Sequence, residues 1–162
     1  MNAGPPVIAS REGFVAALRW GFETAFAQGA RRIVCVDADF APWSLDDPAV
    51  LEGLTAWLRL PQRRLVLLAR SYDEVPRRWP RFTAWRSDWA HAVEAWQPPL
   101  ELASDLPTLL VSDQAVCVHL IDTLQWRGQA SSDSRLARLW CEQVDVLLQR
   151  SEPAFGVSTL GL

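Results

Sequence analysis

Two aspartates one residue apart, Asp37 and Asp39, directly follow a short apolar run. Carboxylates at this spacing supply the oxygen ligands that Mg²⁺ prefers, and the carboxyl end of a buried strand is where open α/β sheets bind ligands. The pattern therefore predicts, as one alternative, a metal-dependent phosphotransferase or hydrolase centred on the two aspartates. The other alternative, which the sequence favours, is that both carboxylates serve in loop hydrogen bonds or a salt bridge.

A second candidate is the segment 77–86, which interleaves arginines with tryptophan and phenylalanine. Its arginines are Arg77, Arg78, Arg81 and Arg86. This mixture stacks on bases and holds phosphates, so it predicts an anion-binding or nucleic-acid-binding segment. The alternative is a packed amphipathic helix, because Phe82, Trp85 and Trp89 recur at helical spacing and leave the arginines on the solvated side.

Two soft metal ligands, Cys117 and His119, lie on one face of a predicted strand, whereas Cys35, His91 and Cys141 lie elsewhere. None has the paired spacing of a structural zinc site, and neither histidine is tied to a cysteine as a catalytic pair. We therefore predict no zinc and no cofactor. The three cysteines are expected to be buried free thiols in a reducing compartment.

The basic residues are all arginine: the chain has sixteen of them and no lysine. This composition indicates a GC-rich bacterial source, and it excludes mechanisms that need a P-loop, Schiff-base or general-base lysine. The net charge of −3 argues against binding nucleic acid with the whole surface and leaves room for a local basic patch. Nucleic acid is accordingly not expected as the main partner.

The length of 162 residues and the apolar fraction of 49% predict one α/β domain, with 1–9 and 154–162 as terminal arms. No run of about 18 apolar residues is present, so no membrane span is expected. The first residues lack the pattern of a signal peptide, which predicts a cytoplasmic protein.

Helical and strand patterns alternate along the chain and position the candidate residues. The predicted elements are helix 11–28, strand 33–37, helix 48–60, strand 64–69, helix 80–91, strand 93–96 with a continuation at 100–103, hairpin strands 109–111 and 115–121, loop 126–133, and a helix from 133 to before 153. Strand–helix–strand order predicts a parallel pair with a right-handed crossover. The fold class is thus α/β, with a mixed, mostly parallel sheet and helices on both faces.

In this order of elements, residues 10–150 resemble a single phospholipase D-like unit. The catalytic signature of that superfamily is His-x-Lys, four residues, Asp, six residues, Gly-Ser-x-Asn. Registered on Asp113, it falls on Leu106, Thr108, Leu120, Ile121 and Thr123, so only the aspartate matches. The resemblance implies a phospholipase D-like topology without the catalytic apparatus.

Shorter segments add two further resemblances. Val-Asp-Ala-Asp-Phe, Pro-Arg-Phe-x-x-Trp-Arg and Gln-Trp-Arg-Gly are similar to segments of an uncharacterised bacterial domain that is sometimes fused to acetyltransferases. Asp37-x-Asp39 is also similar to the opening motif of haloacid-dehalogenase-type phosphotransferases. Those enzymes need a further acidic pair, and Asp46-Asp47 follows too soon and is predicted to cap a helix.

These observations are interpreted as a non-catalytic binding or interaction module with a degenerate phospholipase D-like fold. The alternatives are the enzyme centred on the aspartates and anion or nucleic-acid binding through segment 77–86. A site for a small anionic ligand is expected where the strand emerges. Its predicted residues are Asp37, Asp39 and Trp43, with Trp126 and Arg127 reaching it from the loop after the hairpin.

Large apolar side chains are abundant, since the chain has nine tryptophans and an apolar tail at Phe155, Val157, Leu160 and Leu162. Such an excess predicts an exposed patch for a protein partner or a second copy. We expect a twofold homodimer through helix 80–91 or the tail, because single phospholipase D-like units pair in this way. The alternative is a monomer whose tryptophans fill its own core.

Overall fold

The apolar run before Asp37 forms the central strand of a seven-stranded sheet in the computed structural model, which describes residues 4–156. The helices are α1 (Arg11–Ala27), α2 (Pro48–Leu58), α3 (Val75–Arg78), α4 (Pro80–Asp88), α5 (Leu100–Ala103) and α6 (Ser134–Gln149). The strands are β1 (Arg32–Asp37), β2 (Arg64–Ala69), β3 (Val93–Gln97), β4 (Thr108–Ser112), β5 (Val116–Asp122), β6 (Arg127–Ser132) and β7 (Glu152–Pro153).

The strand order is β6-β5-β4-β1-β2-β3-β7. Only β1–β2 and β2–β3 are parallel, whereas β1–β4, β4–β5, β5–β6 and β3–β7 are antiparallel. The α/β class and the mixed sheet are confirmed, but the description of the sheet as mostly parallel is wrong. The hairpin attaches beside β1 and is extended by one more strand, so antiparallel pairs outnumber parallel ones.

Strand β1 is buried on both faces, which explains why its sequence does not alternate between apolar and polar residues. Ile33 and Cys35 belong to the core on the face covered by α1, α2 and α4. Val34 and Val36 belong to the core on the other face, against α6. Helices therefore cover both faces of the sheet, as predicted.

Side-chain caps fix the starts of the three long helices. Ser10 Oγ accepts a hydrogen bond from the Gly13 amide at 3.0 Å, and Asp47 Oδ1 accepts one from Ala49 at 3.0 Å. Asp133 caps α6 through the amide of Arg135 at 3.0 Å. These caps satisfy amide groups that have no partner inside the helix, and they confirm the predicted helix starts.

Three predicted features differ from the structure. The predicted loop 126–133 contains β6, an edge strand whose glycine, serines and glutamine hide the usual apolar alternation. The predicted strand at 100–103 is the short helix α5, which follows Pro99. The two-residue strand β7 was not predicted, because its sequence carries no strand pattern.

The tryptophans lie inside the molecule: two are buried, seven are half-buried and none is exposed. Several indole N–H groups donate to interior acceptors, as from Trp57 to the Ala30 carbonyl at 2.6 Å and from Trp85 to Thr55 Oγ1 at 2.8 Å. The expected exposed aromatic patch is therefore wrong. The homodimer stays a prediction, and three of its proposed interface residues, Val157, Leu160 and Leu162, lie outside the described residues.

The three cysteines are free thiols, and Cys35 and Cys117 are buried as predicted, whereas Cys141 is half-buried. Burial raises the pKa of Cys117 to about 12 and raises the pKa of Cys35 further. Within residues 4–156, no helix is both long and apolar enough to cross a membrane.

Candidate anion-binding crevice

A crevice of about 640 Å³ opens at the carboxyl end of β1. It is lined by Arg11, Asp37, Ala38, Asp39, Ala41, Pro42, Arg78, Leu106, Thr108, Thr123 and Trp126. Its walls come from the start of α1, the loop after β1, the end of α3, the approach to β4 and the turn between β5 and β6. The crevice therefore lies at the mouth of the central strand, where the sequence predicts a ligand site.

Asp37 is buried, and both of its carboxylate oxygens accept hydrogen bonds. Oδ1 accepts from the hydroxyl of Thr108, while Oδ2 accepts from the amides of Phe40 at 2.7 Å and Asp39 at 3.3 Å. Burial raises the pKa of Asp37, and the three hydrogen bonds oppose that shift. The carboxylate is thus committed to holding the loop after β1.

Asp39 is half-buried and has a similar local role, since its Oδ1 accepts from the Ala41 amide at 2.9 Å. The next acidic pair is also occupied: Asp46 Oδ1 accepts from the Phe82 amide at 2.8 Å, and Asp47 caps α2. Across residues 4–156, no three metal-ligating side chains of His, Cys, Asp or Glu gather. The geometry supports the loop-organising alternative for the two aspartates and gives no support to a metal-dependent active site.

Trp43 does not line the crevice, which corrects its predicted role. Its side chain is 0% exposed and packs edge-on against Phe14 and Phe40, with ring centroids 6.1 and 5.2 Å apart. Trp126 does reach the crevice and is half-buried, at 6.1 Å from the Phe14 ring. Arg127 is exposed on β6 and is not among the lining residues, so only one of the two predicted loop residues contributes.

Two arginines line this crevice, and only one of them was predicted from the sequence. Arg78, the last residue of α3, comes from the predicted anion-binding segment. Arg11, the first residue of α1, was missed. The signal for it was available: α1 joins β1 through a very short link and runs antiparallel to it, so the start of the helix must lie near the end of the strand.

Both crevice arginines are exposed, and neither forms an ion pair with any residue between 4 and 156. In contrast, Arg77 pairs with Glu74. Arg81 is exposed on α4 and likewise has no ion-pair partner in the described chain. An exposed guanidinium without a carboxylate partner can bind an anion without first breaking an internal contact.

Arg86 is not available to bind an anion in this conformation, which corrects its place in the predicted set. The side chain is buried, and its guanidinium carbon lies 4.1 Å from the centroid of the Phe155 ring. Burial lowers the pKa of Arg86, and the nearby Tyr72 opposes that shift. Segment 77–86 thus divides into an exposed part and a buried part.

The fold and the crevice define an α/β domain with a mixed sheet and two unpaired arginines at the carboxyl end of its central strand. No protein-family model and no curated protein sequence matches the chain. Among solved structures, the chain is similar to TrmBL2, an archaeal chromatin protein whose structure shows a novel mode of DNA binding. The TM-score is 0.63 at 14% identity, over 91% of this chain and 53% of that one.

At this identity the likeness shows the fold alone, and the chain spans about half the length of the TrmBL2 chain. The interpretation as a non-catalytic binding or interaction module with a degenerate phospholipase D-like fold is corrected, because the similar solved structure is that of a DNA-binding chromatin protein. The phospholipase D-like topology is not confirmed. The comparison agrees better with the further alternative of anion or nucleic-acid binding. The resemblance to the bacterial domain stays an expectation.

Proposed function

We propose that this chain binds nucleic acid by holding its phosphates at the crevice beside β1. The observation that carries the proposal is that Arg11 and Arg78 are exposed on one crevice and lack a carboxylate partner in the described part of the chain. Arginine presents a planar fork of N–H donors that matches the oxygens of a phosphate.

The acidic residues of the crevice do not cancel these two cations. Asp37 is buried, and three donors already satisfy its oxygens, so it offers little to a ligand. Asp39 directs one oxygen back to its own loop. In addition, the crevice includes the first residue of α1, a helix of 17 residues whose amino-terminal dipole favours an anion nearby.

The net charge of −3 limits the affinity. Two arginines neutralise about two phosphates, and each phosphate contact contributes about −0.9 to the slope of log K against log salt. We therefore expect weak binding with a shallow salt dependence, dominated by the phosphate backbone. The fold likeness to a DNA-binding chromatin protein supports the same function.

The test is fluorescence anisotropy with labelled single-stranded and duplex DNA at low salt, comparing wild type with Arg11→Gln, Arg78→Gln and the double variant. Each single variant is expected to bind about threefold to tenfold more weakly, and the salt slope should fall by about one per arginine. Both residues are exposed, so circular dichroism and unfolding curves should stay unchanged.

Arg59→Gln is the matched control. Arg59 is exposed and has no ion pair with a described residue. It directly follows α2 and precedes the start of β2, so it lies at the amino end of the parallel strands, away from the crevice. It removes the same charge from the wrong place, so its binding should stay close to that of wild type. Equal losses for Arg59→Gln and the crevice variants would show that binding follows net charge and not the crevice. A double variant that binds like wild type would overturn the proposal.

A further inference from the structure

The last described residues form a strap over the carboxyl end of β3. Strand β7 pairs with β3 through only two positions, Trp96 with Pro153 and Gln97 with Glu152. One more hydrogen bond follows, from the Ala154 amide to the Ala95 carbonyl at 2.9 Å. Both residues of β7 are exposed. The backbone of the strap is therefore held by few hydrogen bonds. A segment held in this way opens at low free-energy cost.

Phe155, which follows β7, contacts both an aromatic ring and a guanidinium group. Its ring stacks on Tyr72 with centroids 5.1 Å apart and an angle of 7° between the planes. Arg86 lies 4.1 Å from the centroid of the same Phe155 ring. The Phe155 ring thus occupies a position where a flat ring contacts both Tyr72 and Arg86.

Arg86 is an unusual residue to find in a purely internal packing arrangement. It is 5% exposed, it forms no ion pair within residues 4–156, and its Nε has no hydrogen-bond partner. Burying a cation without a counter-ion is costly, and the face of the Phe155 ring compensates only part of that cost. A ligand that brings both a flat ring and negative charge would suit this guanidinium better than phenylalanine does.

The backbone of Phe155 is also strained. Its φ of 51° lies in the left-handed region, which bulky side chains seldom adopt. Such strain persists only where the surroundings enforce it, and it favours release of the strap. Next to the ring, a second crevice of about 520 Å³ is open to solvent and includes the exposed Arg70.

We propose that Tyr72 and Arg86 form a stacking slot for an unpaired nucleobase, and that Phe155 occupies this slot as an internal competitor. This inference rests on the proposed nucleic-acid binding and narrows it to single strands, because a paired base cannot enter between the two side chains. Arginine and tyrosine faces are the surfaces on which proteins stack unpaired bases. Arg70 lies where it can hold the adjoining phosphate.

The slot and the β1 crevice both lie at the carboxyl ends of the parallel strands β1, β2 and β3. Helix α3 separates them: Pro76 lines the slot side and Arg78 lines the β1 crevice. Tyr72 also contacts Phe40 of the β1 loop, with ring centroids 6.3 Å apart. In the complex that we propose, one single strand places phosphates at Arg11 and Arg78 and a base in the slot.

The test compares two ligands of equal length and charge, an oligothymidylate and an oligomer of abasic sugar-phosphates, by fluorescence anisotropy. Phe155→Ala removes the competitor, so it should bind the oligothymidylate about fivefold or more tightly than wild type does. It should leave abasic binding unchanged, because the phosphates are the same. Tyr72→Leu added to Phe155→Ala should abolish the gain, whereas Tyr72→Phe, which keeps the ring, should preserve it.

The possible outcomes distinguish failure of the slot from failure of the β1 crevice. A gain by Phe155→Ala that is equal for both ligands, or that survives Tyr72→Leu, overturns the slot and attributes the effect to loosening of the strap. Wild-type binding that depends on Arg78, with no gain in Phe155→Ala, overturns the slot and leaves the crevice intact. Base-dependent binding that appears only in Phe155→Ala supports the slot and overturns the crevice. No binding by either protein overturns both. If Phe155→Ala does not fold, Phe155→Leu replaces it, with the same expected order.

Discussion

Asp37 is predicted to stabilise the fold, and substitutions of different chemistry should show it. Asp37→Ala removes the acceptor for the Thr108 hydroxyl and for the amides of Phe40 and Asp39. Asp37→Asn keeps most of these contacts, since the amide oxygen can accept from the backbone and the amide nitrogen can donate to the Thr108 hydroxyl. The two variants should therefore differ sharply.

The expected magnitude follows from the three hydrogen bonds. A hydrogen bond to a charged group contributes about 1.5–3 kcal/mol, which gives an upper limit of several kcal/mol for the set. Two effects reduce it: the residue lines an open crevice, so water can reach the freed donors, and removing a buried carboxylate removes its desolvation cost. Asp37→Ala should cost about 2–4 kcal/mol, and Asp37→Asn less than about 1 kcal/mol.

The pH dependence has a definite sign. The pKa of Asp37 is raised in the folded state, chiefly by burial. Between the ordinary aspartate pKa and this raised value, the folded protein binds more protons than the unfolded chain, so the contribution of Asp37 to stability falls as the pH rises through that window. Asp37→Asn cannot titrate, and it should gain stability relative to wild type over the same window.

The assay is urea unfolding followed by tryptophan fluorescence, repeated across acidic and neutral pH. A double-variant cycle with Thr108→Val isolates one contact, and it should show a coupling of about 1 kcal/mol, because the two side chains are directly bonded. Asp37→Ala within about 0.5 kcal/mol of wild type, or a loss in Asp37→Asn as large as in Asp37→Ala, would refute the reasoning.

Two other predictions concern packing. In native protein, thiol reagents should modify Cys141 first and leave Cys35 and Cys117 unmodified until denaturant is added. Burial raises the pKa of all three thiols, but only Cys141 is half-buried and so partly accessible. Rapid labelling of all three thiols in native protein, detected by mass spectrometry, would contradict this. Gly128→Ala should destabilise the protein by about 1–3 kcal/mol, because a new Cβ would lie 2.3 Å from the His119 carbonyl oxygen, whereas Gly4→Ala, with nothing within 4 Å, should unfold at the same urea concentration as wild type.

Features with a local physical cause could be predicted from the sequence. Helix starts could be predicted from Ser10, Asp47 and Asp133, because a capping side chain accepts a hydrogen bond from an amide two or three residues further along the chain. Strand β1 and the crevice at its end could be predicted because a strand buried on both faces must be apolar throughout and must end at the sheet edge.

Features set by distant partners could not be predicted. The polar strand β6 is a strand because it pairs with β5, and its own residues do not reveal this. Arg86 looks like its neighbouring arginines in sequence, yet it is buried and contacts Phe155, which lies about 70 residues further along the chain. Trp43 follows two aspartates at a sheet edge, yet Phe14 and Phe40 draw it into the core.

The edges of the sheet determine how this chain can meet another one. At one edge, β7 offers only two residues, and one of them is Pro153, which has no amide hydrogen to donate. At the other edge, β6 carries an exposed arginine, and Ile8 bridges to Gly128, which occupies part of its free side. Exposed strand edges are what let sheets recruit foreign strands, and both are blunted here. These blunted edges favour a partner chain that engages a helical face or the loops over one that adds a strand to the sheet.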